Sequence, residues 1–159
     1  MRRVIWLMTG LALSCAAACG QQEEQPRFTA ETPNGQPLCT LRIHVTGFRN
    51  NHGKAGGTIF ASADGWPEQT SKAVVHGPFP IVDGQAMEEF HLPAGKYAVA
   101  VIHDENSNHK LDRNFLGIPK EGFGFANNPR VALSAPSFAA AATQVSCPVT
   151  QIEVRLIYK

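Results

Sequence analysis

Short segments in which apolar and polar residues alternate run through the chain and constrain it to β-structure. In "LCTLRIHVTGF", Leu41, Ile43 and Val45 would share one face of a strand, because side chains alternate with a period of two. In "PAGKYAVAVIHD" both faces are apolar, which predicts a strand that is covered on both sides. Turn residues separate these segments. We therefore predict an all-β fold, an antiparallel β-sandwich of about seven strands.

Four further segments predict strands, and one predicts a short helix. The strands are "GGTIFASA", "AVVHGPFPIVDG", "QAMEEFHL" and the C-terminal "QIEVRLIYK". We expect the first to form a hairpin with the preceding strand, and the second and third to meet at the turn "VDGQ". In the last, Ile152, Val154, Leu156 and Tyr158 would share one face. "PSFAAAATQ" predicts one or two helical turns after Pro136.

The N-terminus resembles an export leader. Arg2 and Arg3 precede a mostly apolar stretch, residues 4–18, that is too short for a typical membrane span. "AAACGQQ" resembles a bacterial lipoprotein leader, in which Cys19 is lipidated and becomes the new N-terminus. It departs from that pattern at Ala16, where leucine is usual. Lipidation at Cys15, or cleavage by ordinary signal peptidase to release a soluble protein, are the alternatives.

The residues around Cys19 predict the domain organisation and the location. Gln21 resembles the residue at the same place in leaders that are sorted to the outer membrane. Residues 20–37 are rich in Gln, Glu, Pro, Asn and Gly, as in a flexible tether. We predict a lipoprotein-type signal peptide at 1–19, a tether at 20–37 and a β-sandwich domain at 38–159. The protein would be exported to the periplasm and anchored by lipid to the outer membrane.

Two cysteines remain once the leader is set aside, and export favours their pairing. Cys39 and Cys147 lie near the two ends of the predicted domain, so a disulfide between them requires the first and last strands to be neighbours. The alternative is a pair of buried free thiols. Zinc is disfavoured because neither cysteine has a second ligand close in sequence.

The net charge is close to zero and restricts the class of partner. The chain has 14 basic and 13 acidic residues, and loss of Arg2 and Arg3 with the leader would leave a net charge of about −1. This balance gives no reason to expect nucleic acid or an anionic membrane. We expect an unidentified protein, peptide or glycan of the envelope as partner, and contact with the membrane through the lipid anchor only.

The segment "HDENSNHKLDRNFLGIPKEGFGF", residues 103–125, contains the ligand spacing of a calcium loop. Counted from Asp104, oxygen-bearing side chains stand at places one, three, five and nine, and Lys110 at place seven offers its carbonyl. We predict a calcium site at Asp104, Asn106, Asn108, Lys110 and Asp112. The alternative is a turn in which the Asp and Asn side chains cap their own backbone.

Two departures predict that such a site would be weak. His109 stands at place six, where these loops have glycine, and Phe115 stands at place twelve, where a bidentate glutamate is usual. With only Asp104 and Asp112 as charged ligands, we expect a dissociation constant on the order of 0.1–1 mM. Calcium would add rigidity rather than catalysis.

"GFGF" and the following "ANN" predict a second candidate surface. Phe123 and Phe125 alternate with glycine, and rings on such a loop can stack on a sugar or a peptide. Together with Asn127 and Asn128 they form our predicted binding surface. The alternative is that both rings pin a long loop to the core.

Catalytic motifs are missing from the sequence, which favours a non-catalytic protein. There is no G-x-S-x-G, no H-E-x-x-H and no phosphate loop. One alternative function is a periplasmic hydrolase-like enzyme whose site gathers Asp104, Asp112, Glu121 and His103. The other is a metal-handling protein that uses His103 and His109. Otherwise we expect all six scattered histidines, His103 among them, to face solvent.

Three segments of the sequence resemble those of a known family. "VTGFRNNHGKAGGTIFASADGWP", "LPAGKYAVAVIHDENSNHKLDRNFLGIPKEGFGFANN" and the late "PSF" are similar to the uncharacterised bacterial proteins grouped as domain of unknown function 2141, over about residues 41–158. The resemblance implies a small exported protein with an immunoglobulin-like or transthyretin-like β-sandwich. It implies no activity, substrate or cofactor. The family's loop usually has glycine where this chain has His109.

Overall fold

A computed structural model describes residue 32 and residues 34–132 and 134–159, and it shows a β-sandwich with one short helix. The predicted leader, and the predicted tether up to residue 31 and at residue 33, lie outside this described part. No described helix is long and apolar enough to cross a membrane. The elements are β1 Leu38–Thr46, β2 Lys54–Phe60, a 3-10 turn at Thr70–Lys72, β3 Val75–Phe79, β4 Ala86–Pro93, β5 Gly95–Asp104, β6 Phe123–Phe125, α1 Phe138–Ala141, β7 Ala142–Val145 and β8 Val149–Arg155.

Two sheets form the sandwich, which confirms the predicted all-β fold. The first sheet has the strand order β4-β1-β8, and the second has β3-β2-β5, with β6 and β7 sharing the remaining edge of β5. All pairs of strands are antiparallel except β1 and β8, which are parallel. The departure from a purely antiparallel sandwich arises because β8 reaches β1 by a crossover from the second sheet and not by a hairpin.

The predicted hairpin of β1 with β2 is wrong, whereas β3 and β4 are joined by the predicted turn but do not pair with each other. β1 and β2 lie in different sheets, and so do β3 and β4. Val82 and Gln85 bridge across the "VDGQ" turn, with Asp83 and Gly84 at positive φ. Turn residues therefore mark where the chain reverses, but they do not decide which sheet the next strand joins.

The main core lies between the two sheets and is built from alternate residues of their strands. Tyr97, Val99 and Val101 of β5 point into it, as predicted. The predicted C-terminal face also faces this core, where the half-buried Ile152 and Tyr158 flank buried residues. The buried hydrophobic members with no more than 2% exposure are Cys39, Leu41, Ile43, Val45, Ala55, Ile59, Val99, Val101, Ala126, Val145 and Val154.

A second, smaller core covers the outer face of the second sheet. Ala98 and Ala100 form its floor, which confirms that β5 is covered on both sides. The ring of Trp66 packs edge-on against Phe60 with ring centroids 5.4 Å apart, and tilted against Phe125 at 5.8 Å. Loops cover the outer side of this core, so the long segment after β5 packs against the sheet.

The predicted disulfide joins Cys39 to Cys147. Their Cα atoms are 4.5 Å apart, and 108 positions separate them in the sequence. Cys147 lies just before β8, and β8 pairs with β1 from Thr40 onward. The neighbouring first and last strands therefore bring the two cysteines together, as the sequence predicts.

Replacement of both cysteines, Cys39→Ser with Cys147→Ser, should lower the free energy of unfolding by about 2–5 kcal/mol, because the bridge closes a long loop in the unfolded chain. Urea unfolding followed by fluorescence measures the change. Reduced wild-type protein is the matched control and should unfold at the midpoint of the double variant. An unchanged midpoint in both samples would contradict the prediction.

Candidate functional site

The acidic loop, residues 104–112, begins at a tightly fixed point where β5 ends. Lys54 at the start of β2 pairs with Asp104. Gly53 has φ +68°, and a Cβ atom at this position would collide with the main chain of Asp104 and Glu105. Glycine is therefore required here, and the start of the acidic loop is packed against the preceding turn.

The buried Asp104 side chain organises the first half of the acidic loop. Its exposed fraction is 3%. Its Oδ1 accepts from the backbone N–H of Asn108 at 3.0 Å, and its Oδ2 accepts from the N–H of His109 at 2.8 Å. Asn106 Oδ1 also accepts from the N–H of Asn108, at 3.2 Å. These bonds curl the chain around the carboxylate, as Asp and Asn side chains do in turns.

The Asp112 carboxylate binds the two asparagine side chains. Asn106 Nδ2 donates to Asp112 Oδ2 at 2.8 Å, and Asn108 Nδ2 donates to Asp112 Oδ1 at 2.9 Å. Asn108 Oδ1 in turn accepts from the backbone N–H of Lys110 at 2.9 Å. Four of the five predicted calcium ligands thus contribute side chains to one hydrogen-bonded cluster, and Lys110 joins it through its backbone.

Glu121, outside the calcium spacing, holds the two ends of the acidic loop together. Its side chain is 4% exposed. Its Oε1 accepts from the backbone N–H of Glu105 and its Oε2 from that of Asp112, both at 2.9 Å. A carboxylate between two N–H groups makes strong, charge-assisted hydrogen bonds. Sequence spacing did not identify this role, because Glu121 lies nine residues beyond the loop that it closes.

The hydrogen bonds match the alternative interpretation of the segment, a turn capped by its own side chains. Among the described residues, no group of three or more His, Cys, Asp or Glu side chains is arranged to hold a metal ion. Asparagine and carbonyl oxygens also bind calcium, so the calcium site stays a prediction.

His109 occupies the position where glycine is usual, and its backbone shows why. Its φ is +63°, in the left-handed region. Residues other than Gly, Asn and Asp adopt this region at a cost of roughly 1–2 kcal/mol. The hydrogen bond from the His109 N–H to Asp104 compensates part of this cost.

The variant His109→Gly should raise the free energy of unfolding by about 0.5–1 kcal/mol, because glycine keeps the N–H donor and adopts positive φ without strain. Lys110→Gly, at a neighbouring residue outside the left-handed region, should instead be destabilising. Thermal and urea unfolding of both variants measures the difference. A His109→Gly variant less stable than wild type would show that the imidazole itself stabilises the loop.

His103 is fully buried, which corrects the expectation that it faces solvent. Its Nε2 lies 2.8 Å from the His52 carbonyl oxygen, which can only accept, so Nε2 carries the proton. Its Nδ1 lies 2.8 Å from the Tyr158 hydroxyl, and that hydroxyl oxygen accepts from the N–H of Arg49 at 3.1 Å. In the neutral ring Nδ1 accepts from Tyr158, and neither nitrogen is free for a metal.

Arg49 connects this buried histidine to the acidic loop. It donates to both carboxylate oxygens of Glu105, at 2.6 and 2.8 Å, and its guanidinium lies 4.8 Å from the centroid of the Tyr158 ring. The hydrogen bond from Arg49 lowers the pKa of Glu105 below its ordinary value, whereas burial raises the pKa of Tyr158. At neutral pH the pair is therefore charged and Tyr158 is protonated.

The "GFGF" rings are buried, so they do not form the exposed stacking surface of the first interpretation. Phe123 is 5% and Phe125 7% exposed, and both lie in the outer core. Gly124 faces the opposite way, and a Cβ there would lie 2.7 Å from the Arg155 carbonyl oxygen. Glycine alternates with phenylalanine because one face of β6 packs against β8 and the other face carries the rings. The rings hold the loop against the core, which agrees with the alternative interpretation of this segment.

Asn127 and Asn128 have structural contacts at the edges of the sheets. Both have positive φ, 63° and 46°. Asn127 Nδ2 donates to the carbonyl of Ala142 at 2.9 Å. The amide of Asn128 donates to the Glu153 carbonyl at 3.0 Å and accepts from the Arg155 N–H at 2.7 Å. It thereby satisfies backbone groups of β8 as a neighbouring strand would.

The segment after the acidic loop exposes apolar side chains that the sequence interpretation left out. We call residues 114–118 the apolar tip. Phe115 is 95%, Leu116 67% and Ile118 42% exposed. The signal in the sequence is the run "FLGI" in an otherwise polar loop, of which the calcium spacing takes account only of Phe115.

A surface groove lies outside the acidic loop. It has a volume of about 570 Å³ and is lined by Gly124, Phe125, Asn128, Pro129, Arg130, Val131, Glu153, Arg155 and Ile157. Asp104, Asp112, Glu121 and His103 are not among its lining residues. The four side chains of the hydrolase-like alternative thus do not line this groove.

Comparison with known proteins identifies a family but no characterised relative. The model of a family described as uncharacterised proteins conserved in bacteria, DUF2141, matches residues 43–153. No curated protein and no solved structure matches the chain. The immunoglobulin-like or transthyretin-like architecture implied by the resemblance therefore stays a prediction, whereas the all-β sandwich rests on the strands themselves.

Proposed function

Because the chain belongs to the DUF2141 family of uncharacterised bacterial proteins, we propose that it is a non-catalytic lipoprotein of the cell envelope. Cys19 carries the lipid, residues 20–37 form the tether, and the sandwich is a binding or structural domain in the periplasm, held at the outer membrane. Its partner is an unidentified envelope protein, peptide or glycan. The disulfide between Cys39 and Cys147 suits an oxidising compartment, which supports export.

One observation carries the non-catalytic part of the proposal: the polar groups of the acidic loop are bonded to the protein itself. Both oxygens of Asp104 and both of Glu121 accept backbone N–H groups. Both nitrogens of His103 are also bonded. A general base needs a lone pair directed at substrate, whereas these groups maintain the shape of the loop. The same bonds weigh against the hydrolase-like and metal-handling alternatives.

A weak calcium site remains part of the proposal as a stabiliser of the acidic loop. Asn106 and Asn108 both contact Asp112, so the expected ligands are already neighbours. A bound ion would have to displace the amide groups from that carboxylate, which supports low affinity.

Labelling with a radioactive fatty acid tests the anchor. Wild-type protein and the control variant Cys15→Ser should both be labelled, and Cys19→Ser should not, because the lipid is carried by the first residue of the mature chain. Membrane fractionation should move Cys19→Ser from the membrane pellet to the soluble fraction. Label retained in Cys19→Ser, or absent from wild type, would contradict a lipid at Cys19.

Thermal melting with calcium or with a chelator tests the acidic loop. With a dissociation constant of 0.1–1 mM, about 5 mM calcium should add roughly 1–2.3 kcal/mol of stability. Asp104→Ala and Asp112→Ala should abolish this gain. Asp64→Ala is the matched control, because Asp64 pairs with Lys72 elsewhere on the surface. No gain in wild type, with both loop variants destabilised, would make the loop a turn held by hydrogen bonds alone.

A further inference from the structure

The apolar tip exposes more hydrophobic surface than its loop requires for folding. Phe115 is almost fully exposed, and Leu116 and Ile118 lie beside it in the sequence. A solvated phenylalanine gains nothing from folding, since its stabilisation comes from burial. Three apolar residues at a projecting turn therefore indicate a surface that is buried against something else.

The apolar tip is a rigid turn, although its side chains are exposed. The N–H of Asn114 donates to the Ile118 carbonyl at 2.8 Å, and the N–H of Gly117 donates to the Asn114 carbonyl at 2.9 Å. Asn114 Oδ1 accepts from the N–H groups of Leu116 and Ile118, at 2.9 and 3.0 Å. The turn is thus fixed before binding, which lowers the entropy lost when it inserts into a partner.

A short hairpin joins the apolar tip to the body of the protein. The N–H of Lys120 donates to the Asp112 carbonyl at 2.8 Å. Arg113 donates to the Gly117 carbonyl at 3.2 Å and forms an ion pair with Glu68 at 2.9 Å. Since Glu68 follows Trp66 of the outer core by two residues, the hairpin is braced on the outer layer of the sandwich.

The exposed charges beside the apolar tip that have no ion-pair partner among the described residues are positive. Residues 106–120 contain the bases Lys110, Arg113 and Lys120 and a single acid, Asp112. Asp112 is occupied by its two asparagine partners. Lys110 and Lys120 are exposed, and no ion pair involves either of them among the described residues. Because Arg113 is paired with Glu68, the remaining exposed charge at this surface is that of the two lysines, which the near-zero net charge of the whole chain does not reveal.

We propose that the apolar tip inserts into the interface of a lipid bilayer that contains anionic headgroups, with Lys110 and Lys120 beside the headgroups. Aromatic and aliphatic side chains next to bases are typical of segments that bind this interface. A stable protein interface buries roughly 800 Å² on each partner, which is more than three side chains at a turn present. The observations therefore favour a membrane over a protein pocket.

This membrane contact goes beyond the proposed function. It rests on that function in one respect only, namely that the lipid anchor would hold the domain near a bilayer. The 18 residues of the tether, 20–37, span at most about 60–65 Å. The ten residues of β5 are about 33 Å long. A lipid at Cys19 would therefore allow the apolar tip to reach the anchoring membrane while the sandwich lies along it.

Vesicle binding of the chain from Gly20 to Lys159, which has no lipid and contains every described residue, tests the inference separately from the anchor. The probes are vesicles of phosphatidylethanolamine and phosphatidylglycerol (3:1), compared with pure phosphatidylcholine. We expect preference for the anionic vesicles and weaker binding in high salt. Phe115→Ser should weaken binding about 10- to 100-fold, and Lys110→Gln with Lys120→Gln about fivefold per lysine.

Val149→Ser is the matched control, because Val149 is 48% exposed on the other sheet; it should bind as wild type does. Phe115→Trp adds a reporter whose emission should shift to the blue on the anionic vesicles, beyond any change from Trp66.

The inference is overturned if wild type does not bind these vesicles, or if Phe115→Ser binds them equally well. Absent vesicle binding with dimers that Phe115→Ser abolishes would assign the tip to a second copy of the chain instead. Loss of the lipid at Cys19 with vesicle binding retained would refute the anchor alone.

Discussion

The burial of β5 on both faces is the constraint on which the rest of the structure depends. Its inner side chains, among them Val99 and Val101, build the core between the sheets. Its outer face carries the partly buried Ile102 and the small Ala98 and Ala100, and the two alanines leave room for aromatic rings above the second sheet. Because these aromatic rings are stabilised by burial, the chain after β5 packs over them. The acidic loop joins this layer through Leu111, whereas its residues 106–110 are exposed.

Residue periodicity was sufficient to predict six of the eight strands, but it missed the short β6 and β7 and could not assign any strand to a sheet. A period of two reports which side chains are buried, and both sheets bury theirs in the same core. The turns after β1 and after β3 have the residues of hairpins, yet each carries the chain across to the other sheet. The pairing of Cys39 with Cys147 was predictable, because only these two cysteines remain once the leader is set aside and export favours a disulfide.

For the candidate site, spacing in the sequence indicated where oxygen atoms converge but could not identify what they bind. The oxygens of Asp104 that suit calcium also suit two backbone N–H groups, and the chain itself supplies these. The burial of His103 was not predicted, because its partners, Tyr158 and the His52 carbonyl, are 55 and 51 residues away in the sequence. Contacts of this kind leave no local pattern to recognise.

In residues 104–121 two of the carboxylates are buried, whereas the lysines are exposed. The overall composition was therefore a poor guide to the charge at the surface of this segment. The carboxylates of Asp104 and Glu121 are directed inward and hold the backbone in shape. Lys110 and Lys120 remain exposed near a turn that presents Phe115. The sum of these charges is small, whereas a partner at the outer face meets mainly the bases and the apolar side chains. Carboxylates that stabilise the loop from within therefore leave its exterior suited to an anionic, partly apolar surface.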